Sequence, residues 1–240
     1  IPLRLTWRAI RVLALSLVLS FVVWVVLASA FSRTGLQAPL VASAFLLALL
    51  PLVMIGANAL LVPYESHTQR AFEADAVRRL AEVKPQVIGI TGSYGKSSSK
   101  SMLAHILQFD APTLAATGSI NTLMGVTRHI REELVRGHKY MVVEMGAFRT
   151  GSIRRLCQLT PPSAGLITAV GDMHLERFGS LEAIITAKSE LAQAIPPGGW
   201  LVVNADSPGA LAIARKATHC RVLLYGETSS ETLATRIEDI

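Results

Sequence analysis

The sequence predicts an α/β fold, a P-loop-type parallel sheet with helices on both faces, preceded by a two-helix transmembrane hairpin. From Val87 onward, short continuous apolar runs alternate with segments of helical periodicity, which is typical of parallel strands covered on both faces. A glycine- and serine-rich loop directly follows the first of these runs. The chain of 240 residues is 51% hydrophobic, and the excess lies in two uncharged stretches near its start.

The two uncharged stretches predict the hairpin. Val12 to Phe31 is 20 residues without a charge, and Leu40 to Val62 is 23 more. About 20 helical residues cross the hydrocarbon layer of a bilayer, so both stretches are long enough to span it. A signal peptide could explain the first stretch and a buried core helix the second, but a signal peptide precedes a mature domain, not a second apolar stretch. We predict a hairpin over 1–63 with spans at about 12–31 and 40–62.

The distribution of basic residues predicts the orientation of the hairpin. The loop between the spans carries only Arg33, whereas both outer ends are rich in cations. The positive-inside tendency therefore places both ends on the cytoplasmic side of the cytoplasmic membrane, and with them the α/β domain. The flanking cations are Arg4, Arg8 and Arg11 before the first span, and Arg70, Arg78, Arg79 and Lys84 after the second.

Charge and cysteine content argue against a nucleic-acid-binding protein and against a cysteine-ligated metal site. The net charge of +6 is concentrated near the membrane, where anionic lipid headgroups attract it. No basic stripe interleaved with aromatic residues is present, so we expect membrane lipid as a partner and no nucleic acid. The only cysteines, Cys157 and Cys220, lack metal-binding spacing and are expected to be inert. The oligomeric state is left open.

Between the spans and the domain, residues 64–86 predict a juxtamembrane amphipathic helix or linker. Phe72, Ala76, Leu80 and Val83 recur at helical spacing, and Pro85 ends the pattern. The α/β domain then runs over 87–240 and is expected to be truncated. Its predicted strands are 87–91, 139–145, 164–170, 200–204 and 221–225, and its predicted helices lie near 96–109, 123–136, 151–158, 180–195 and 207–217.

The loop after the first strand has the pattern G-x-x-G-K-S from Gly92 to Ser97. The usual P-loop, G-x-x-x-x-G-K-[ST], is not met, because Ile90 stands five residues before Gly95. The strand–loop–helix context nevertheless favours a phosphate cradle, in which Lys96 reaches phosphate oxygens and Ser97 holds Mg²⁺. The alternative is a turn that merely caps a helix. The predicted phosphate-binding residues are Gly92, Ser93, Tyr94, Gly95, Lys96, Ser97 and Ser98, although we have no physical account of the tyrosine.

Three further residues have the chemistry that such a site needs. Glu144 and His174 each follow an apolar run, so both are expected at the carboxyl edge of the sheet, where they favour metal ligation together with Ser97. Taken singly, the carboxylate could be a salt-bridge partner and the histidine structural. Lys188 lies on the apolar stripe of a predicted helix. Its amine either extends to solvent or points into the site, where its pKa can be lowered or the amine modified.

Four motifs, in order across residues 87–208, resemble the central ATP-binding domain of the Mur ligases, and most of all its D-alanyl-D-alanine-adding members. "GITGSYGKSSSK" is similar to the family's GITGSxGKTTxK, and "GSINTLMGV" to its N-x-x-x-G segment. "VVEMGAFRTGSI" resembles the ELG signature. "HLERFGSLEAIITAKSEL", followed by "NADSP", resembles the H-x-E-x-F-G-S…AK-x-E…NAD block.

The resemblance implies the cofactors ATP and Mg²⁺ and a role for each matched residue. Lys96 would bind phosphates, Ser97, Glu144 and His174 would surround Mg²⁺, and Asn121 would line the site. Lys188 would match a lysine that is carbamylated in several Mur ligases, which makes it a metal-binding carboxylate. Lys96, Lys188 and His174 are the residues predicted to be catalytic.

The implied reaction is ATP-driven amide formation. A small-molecule or lipid-linked carboxylate becomes an acyl phosphate, which an amine attacks, in peptidoglycan precursor synthesis at the membrane. The family's domains for the UDP-sugar and for the incoming amine are not recognisable, so the chain alone is expected to be inactive.

Other functions remain open. Another amino-acid ligase of the same superfamily, such as a folylpolyglutamate-like enzyme, would share these motifs. A membrane-anchored P-loop kinase or ATPase, or a non-catalytic scaffold, is the alternative from a different class.

Overall fold

The computed structural model describes residues 6–31, 37–173 and 175–227. The chain divides into two compact units after Arg70, which ends the first, so that Ala71 begins the second.

The first unit holds two helices that are long and apolar enough to cross a membrane, judged by length and composition. These helices are α1, Trp7–Ala30, and the first part of α2, Ala38–Val83. In α1 only Ser16 is buried, and many of its large apolar side chains are exposed. An exposed apolar surface of this extent is typical of a region that contacts another protein or a membrane. The predicted pair of candidate spans is confirmed to this extent.

Polar contacts hold α1 and α2 side by side in opposite directions. Arg8, near the start of α1, forms an ion pair with Glu65, late in the first unit, at 3.0 Å between Nε and Oε1. Trp24, near the end of α1, donates from Nε1 to the Ser43 hydroxyl at 3.2 Å. The first unit is therefore an antiparallel helical hairpin.

Helix α2 differs from the sequence prediction because it does not end near residue 62. It continues through Pro63 to Val83, whereas a second helix was predicted over 64–86. The residue pattern changes at this point from uniformly apolar to amphipathic. Both patterns are compatible with a helix, so one helix accommodates both. The predicted stripe is present, since Ala76 and Leu80 are part of the hydrophobic core of the second unit.

The second unit is built on a six-stranded sheet in the order β2-β3-β1-β4-β5-β6, with every pairing parallel. This confirms the predicted α/β class. The strands are β1 Gln86–Thr91, β2 Thr113–Ala115, β3 Tyr140–Glu144, β4 Ala164–Ile167, β5 Trp200–Asn204 and β6 Arg221–Tyr225. The helices are α3 Lys96–Gln108, α4 Leu123–Glu133, α5 Ser152–Leu159, α6 Leu175–Phe178, α7 Leu181–Ala194 and α8 Pro208–Ala214.

Helices cover both faces of the sheet, as predicted. On one face, α3 packs through Ala104 onto Ile90 and Val142. On the other, α4, α5, α7 and α8 contribute to a larger core that contains the buried Leu191 and Leu201. Strands β3, β1 and β4 are neighbours in the sheet, so the loops that follow them meet at one edge.

The two cysteines are free and buried, as expected for inert thiols. Burial, together with the negative charge of nearby Glu190, raises the pKa of the Cys157 thiol to about 12. A thiol with so high a pKa forms little of the reactive thiolate.

Candidate active site

The glycine-rich loop lies between β1 and α3, at the carboxyl end of a central strand. Gly95 is the N-cap of α3 and has φ of 80°, in the left-handed region that favours glycine. Gly92 is packed against Thr168, and a Cβ atom on Gly92 would lie 1.8 Å from the threonine Oγ1. The first glycine is therefore required for space and the second for backbone conformation.

The first turn of α3 offers a set of unused hydrogen-bond donors. The backbone N–H groups of Gly95, Lys96, Ser97 and Ser98 donate to no residue in the described part of the chain. Gly95 has no side chain with which to cap the helix. Free N–H groups at the positive end of a helix dipole form an anion-binding site, and phosphate is the usual ligand of such a site.

Lys96 lies folded over the same loop. Its Nζ atom donates to the carbonyl oxygens of Gly92 at 2.9 Å and Ser93 at 3.0 Å. Partial burial lowers the pKa of Lys96, and the negative charge of Glu144 opposes this shift. An anion bound at the loop would offer the ammonium a stronger, charge-assisted partner than these neutral carbonyls.

Glu144 ends β3 and is only 2% exposed, in register with Ile90 of β1. Its Oε2 atom accepts a hydrogen bond from the Ser97 hydroxyl at 2.8 Å, and its Oε1 atom accepts from Asn121 Nδ2 at 3.1 Å. The ammonium of Lys100 lies 3.7 Å from Oε2. We call Ser97, Lys100, Asn121 and Glu144 the carboxylate cluster.

The loop 116–122, between β2 and α4, completes the carboxylate cluster. The Asn121 carbonyl accepts from the Gly146 N–H at 3.0 Å, which fixes this loop to the segment after β3. Ser119 lies beside Ser97, with 3.2 Å between their hydroxyl oxygens. The sheet edge therefore brings hydroxyl, amide and carboxylate groups together next to the free N–H groups of α3.

Residues after β4 hold the other side of the loop. The backbone N–H of Ser93 donates to the Ala169 carbonyl at 2.6 Å, and the serine hydroxyl donates to the Gly171 carbonyl at 2.9 Å. The Thr168 hydroxyl donates to the Tyr94 carbonyl at 2.6 Å. The loop is thus fixed by its backbone, while the tyrosine side chain is 53% exposed.

Comparison with protein-family models identifies this arrangement, because the model described as the Mur ligase middle domain matches residues 90–239. The chain belongs to the Mur ligase family. The predicted resemblance is confirmed.

Several relatives of this chain are named UDP-N-acetylmuramoyl-tripeptide–D-alanyl-D-alanine ligase. The protein of Mycobacterium tuberculosis H37Rv is 41% identical over 137 residues, which is 57% of this chain and 26% of the relative. The protein of Escherichia coli K12 is 36% identical over 140 residues, 58% of this chain and 31% of the relative. The chain therefore matches only about a quarter to a third of the length of these proteins.

Solved structures give the same result. MurF from Acinetobacter baumannii superposes with a TM-score of 0.63 at 33% identity, over 67% of this chain and 36% of that one. MurF from Thermotoga maritima, solved in complex with ADP, superposes with a TM-score of 0.62 at 28% identity, over 67% of this chain and 37% of that one.

Lys188 lies on α7 and is 5% exposed, so its ammonium does not extend into solvent. The pKa of Lys188 falls from 10.5 to about 8, chiefly because of burial and also because of the positive charge of Lys96. Within the described part of the chain it has no hydrogen bond and no ion pair. The apolar stripe predicted around it is present, with Ile184 and Leu191 fully buried.

The predicted metal ligands are brought together only in part. Ser97 and Glu144 are in contact, and Lys188 is close enough to Lys96 to be affected by its charge. His174 lies outside the described residues. No group of three or more His, Cys, Asp and Glu side chains is placed to hold a metal ion in the chain that the structure describes.

Sequence reasoning assigned no role to three residues that the structure places at the site. Lys100 contacts Glu144, Ser119 contacts Ser97, and Thr168 supports the loop. The sequence held two signals for Lys100, which follows Lys96 by one helical turn and is the last residue of the matched motif GITGSxGKTTxK. The other two lie in loops whose approach to the site depends on the tertiary fold.

Proposed function

We propose that this chain is the nucleotide-binding part of an ATP-dependent amide ligase of Mur type, acting in peptidoglycan precursor synthesis. The observation that carries the proposal is the contact of Ser97 with Glu144, directly beside the four free N–H groups of α3. This arrangement combines an anion site with a hydroxyl and a carboxylate. The family membership of residues 90–239 supports the same function.

The residues at this edge fit a magnesium-bound nucleotide. Mg²⁺ binds through few protein oxygens and keeps waters and phosphate oxygens as its other ligands, so Ser97 and Glu144 are a sufficient protein contribution. When bound, the ion would neutralise charge on the transferring phosphoryl group. Asn121 would hold the Glu144 carboxylate in place.

The reaction begins with attack of a substrate carboxylate on the γ-phosphate of ATP, which releases ADP and leaves an acyl phosphate. An amine then attacks the acyl carbon, phosphate leaves, and an amide forms after loss of a proton from nitrogen. In this scheme the α3 N–H groups hold phosphate oxygens, and Lys96 moves from the Gly92 and Ser93 carbonyls to the phosphates.

The substrates are proposed from the relatives. Those proteins are named as ligases of a UDP-N-acetylmuramoyl-tripeptide and D-alanyl-D-alanine. A nucleotide-linked or lipid-linked muramoyl peptide would supply the carboxylate, and an amino acid or dipeptide would supply the amine.

Lys188 is proposed to act as a carbamate. The lysine ammonium first loses a proton, and the neutral amine then adds to CO₂ and releases a second proton. The two steps together convert a buried cation into an anion able to bind a metal. Burial of Lys188 without a partner among the described residues and its lowered pKa both favour this modification. His174 is proposed to act beside it. A carbamate carbon signal in the NMR spectrum after addition of ¹³C-bicarbonate, lost in Lys188→Met, would be the expected result; its absence from the intact protein would argue against carbamylation.

The membrane location is also a proposal. The exposed apolar surfaces of α1 and α2 and the cations outside them favour a two-pass protein with its nucleotide site on the cytoplasmic side. Resistance of the whole chain to alkaline extraction from membranes is expected, and recovery in the soluble fraction would contradict it.

The test of the ligase function begins with nucleotide binding. The whole chain, purified in a mild detergent, is titrated with a fluorescent ADP analogue with and without Mg²⁺. We expect saturable binding that Mg²⁺ strengthens and that unlabelled ATP displaces. If no displaceable binding occurs, the ligase function is wrong, and a non-catalytic scaffold becomes the better explanation of the conserved fold.

A further inference from the structure

Lys100 is a fully buried lysine that the proposed mechanism leaves without a role. It lies on α3, one turn after Lys96, and is only 2% exposed. Burial of an ammonium group is strongly unfavourable unless charged or polar partners replace the lost water. The partners of Lys100 therefore indicate why a lysine stands at this position.

Lys100 has two such partners. Its Nζ atom makes a short hydrogen bond to the Gly118 carbonyl and lies 3.7 Å from Glu144 Oε2. Glu144 is equally buried, and Lys100 is its only ion-pair partner in the described part of the chain. Lys96, by contrast, donates to carbonyls of its own loop.

Each partner holds part of the carboxylate cluster in place. The carbonyl of Gly118 directly precedes Ser119, whose hydroxyl contacts Ser97, and Asn121 follows two residues later. Gly118 itself has φ of 70° and open space around its Cα, so its own packing does not fix this part of the loop. Lys100 thereby connects α3, the end of β3 and the loop 116–122.

We propose that Lys100 is a positioning residue that holds Glu144 and residues 118–121 in the arrangement needed by a divalent cation on the bound nucleotide. The inference rests on the proposed function, since it assumes the magnesium nucleotide. The Lys100 ammonium is directed at the Gly118 carbonyl and at Glu144, and not at the glycine-rich loop. Its role is therefore separable from that of Lys96, because loss of Lys100 weakens the effect of Mg²⁺ more than the contact with phosphate.

The experiment measures how much Mg²⁺ strengthens binding of the fluorescent ADP analogue to the whole chain. This enhancement is the ratio of the dissociation constants without and with Mg²⁺. In Lys100→Met we expect this enhancement to fall by roughly tenfold, as for other residues that orient metal ligands, while binding without Mg²⁺ falls less. The matched control is Lys139→Met, an exposed lysine that is also ion-paired, to Asp110, and its enhancement should equal that of the parent protein.

A second variant separates positioning from a general loss of structure. Lys100→Met leaves the buried carboxylate of Glu144 without its cation, which lowers the melting temperature. Glu144→Gln removes that stranded charge, so the double variant should melt at a higher temperature than Lys100→Met alone. If Lys100 acts through Glu144, adding Lys100→Met to Glu144→Gln should lower the Mg²⁺ enhancement no further.

Three results would overturn the inference while leaving the ligase proposal intact. The Mg²⁺ enhancement could be the same in Lys100→Met as in the parent protein. Binding could be lost equally with and without Mg²⁺. The double variant could melt no higher than Lys100→Met. If the parent protein itself binds no nucleotide, the proposed function and this inference both fail.

Discussion

The candidate site contains two buried ionisable residues, Glu144 and Lys188, whose surroundings are opposite in kind. Glu144, 2% exposed, has a hydrogen-bond donor on each carboxylate oxygen and a lysine ammonium nearby. Lys188, 5% exposed, has no hydrogen bond or ion pair among the described residues, and its pKa is lowered by burial and by the charge of another cation, Lys96. The surroundings of Glu144 are complete before any ligand binds, whereas no described residue compensates the charge of Lys188.

This difference indicates which of the two, the carboxylate cluster or Lys188, depends on a ligand. The carboxylate cluster is satisfied by protein groups alone, so it contributes to folding before any nucleotide arrives. A buried lysine without partners lowers stability, and strongly perturbed groups of this kind occur preferentially at functional sites. We infer that Lys188 acquires its partner from chemistry or from a ligand.

The largest predicted effect comes from removing the uncompensated charge. A fall in the pKa of Lys188 from 10.5 to about 8 corresponds to about 3 kcal/mol of unfavourable free energy at neutral pH. Lys188→Met should therefore raise the free energy of unfolding by up to about 3 kcal/mol at pH 7. Denaturant or thermal unfolding of the unmodified protein, with CO₂ removed, measures this gain.

The stability that Lys188→Met gains should depend on pH. Because the pKa is lower in the folded state, the unfolded state binds more protons between pH of about 8 and 10.5, so the parent protein gains stability as pH rises through that window. The advantage of Lys188→Met should shrink over the same window. Lys216→Met, at an exposed lysine, should show neither effect. An advantage that is absent, or constant with pH, would show that Lys188 is not a buried, uncompensated cation.

The second-largest predicted effect concerns Lys96 in the phosphate-binding loop. Lys96→Met removes the mobile ammonium and leaves the carboxylate cluster in place, so affinity for the ADP analogue should fall by about 2 kcal/mol, roughly thirtyfold, the value of a charge-assisted hydrogen bond. The loss should be similar with and without Mg²⁺, unlike that of Lys100→Met. Lys139→Met is again the control. A loss confined to the magnesium form would assign Lys96 to the cation and not to the phosphates.

The sequence was sufficient to predict most elements of this fold. Five of the six strands lie where continuous apolar runs predicted them, because a buried parallel strand has few polar residues. The strand β2, Thr113–Ala115, was missed, since three residues are too short to show a pattern. Helix α6, Leu175–Phe178, is a single turn and was missed for the same reason.

The structure brings together those predicted site residues whose placement follows directly from their position along the chain. Glu144 was predicted because it ends an apolar run, and the structure places it at the carboxyl edge beside Ser97. Lys100 ends the matched motif, but its burial beside Glu144 could not be predicted, because a lysine near a helix start is usually solvated and only tertiary packing buries this one. The continuation of α2 through Pro63 was also not predicted from the sequence. A proline permits a helix to continue when neighbouring turns keep their hydrogen bonds.

The smallest predicted effect tests whether the carboxylate cluster is assembled in advance. Ser97→Ala removes one donor to Glu144, but the carboxylate keeps Asn121 and Lys100, so the free energy of unfolding should fall by only about 1 kcal/mol. Ser101→Ala, one turn later on α3, removes an exposed serine hydroxyl that bonds only to the helix backbone and should change stability less. If both variants behave alike, the Ser97–Glu144 contact contributes nothing to the fold. The carboxylate cluster would then depend on its ligand as much as Lys188 does, and the contrast between the two would disappear.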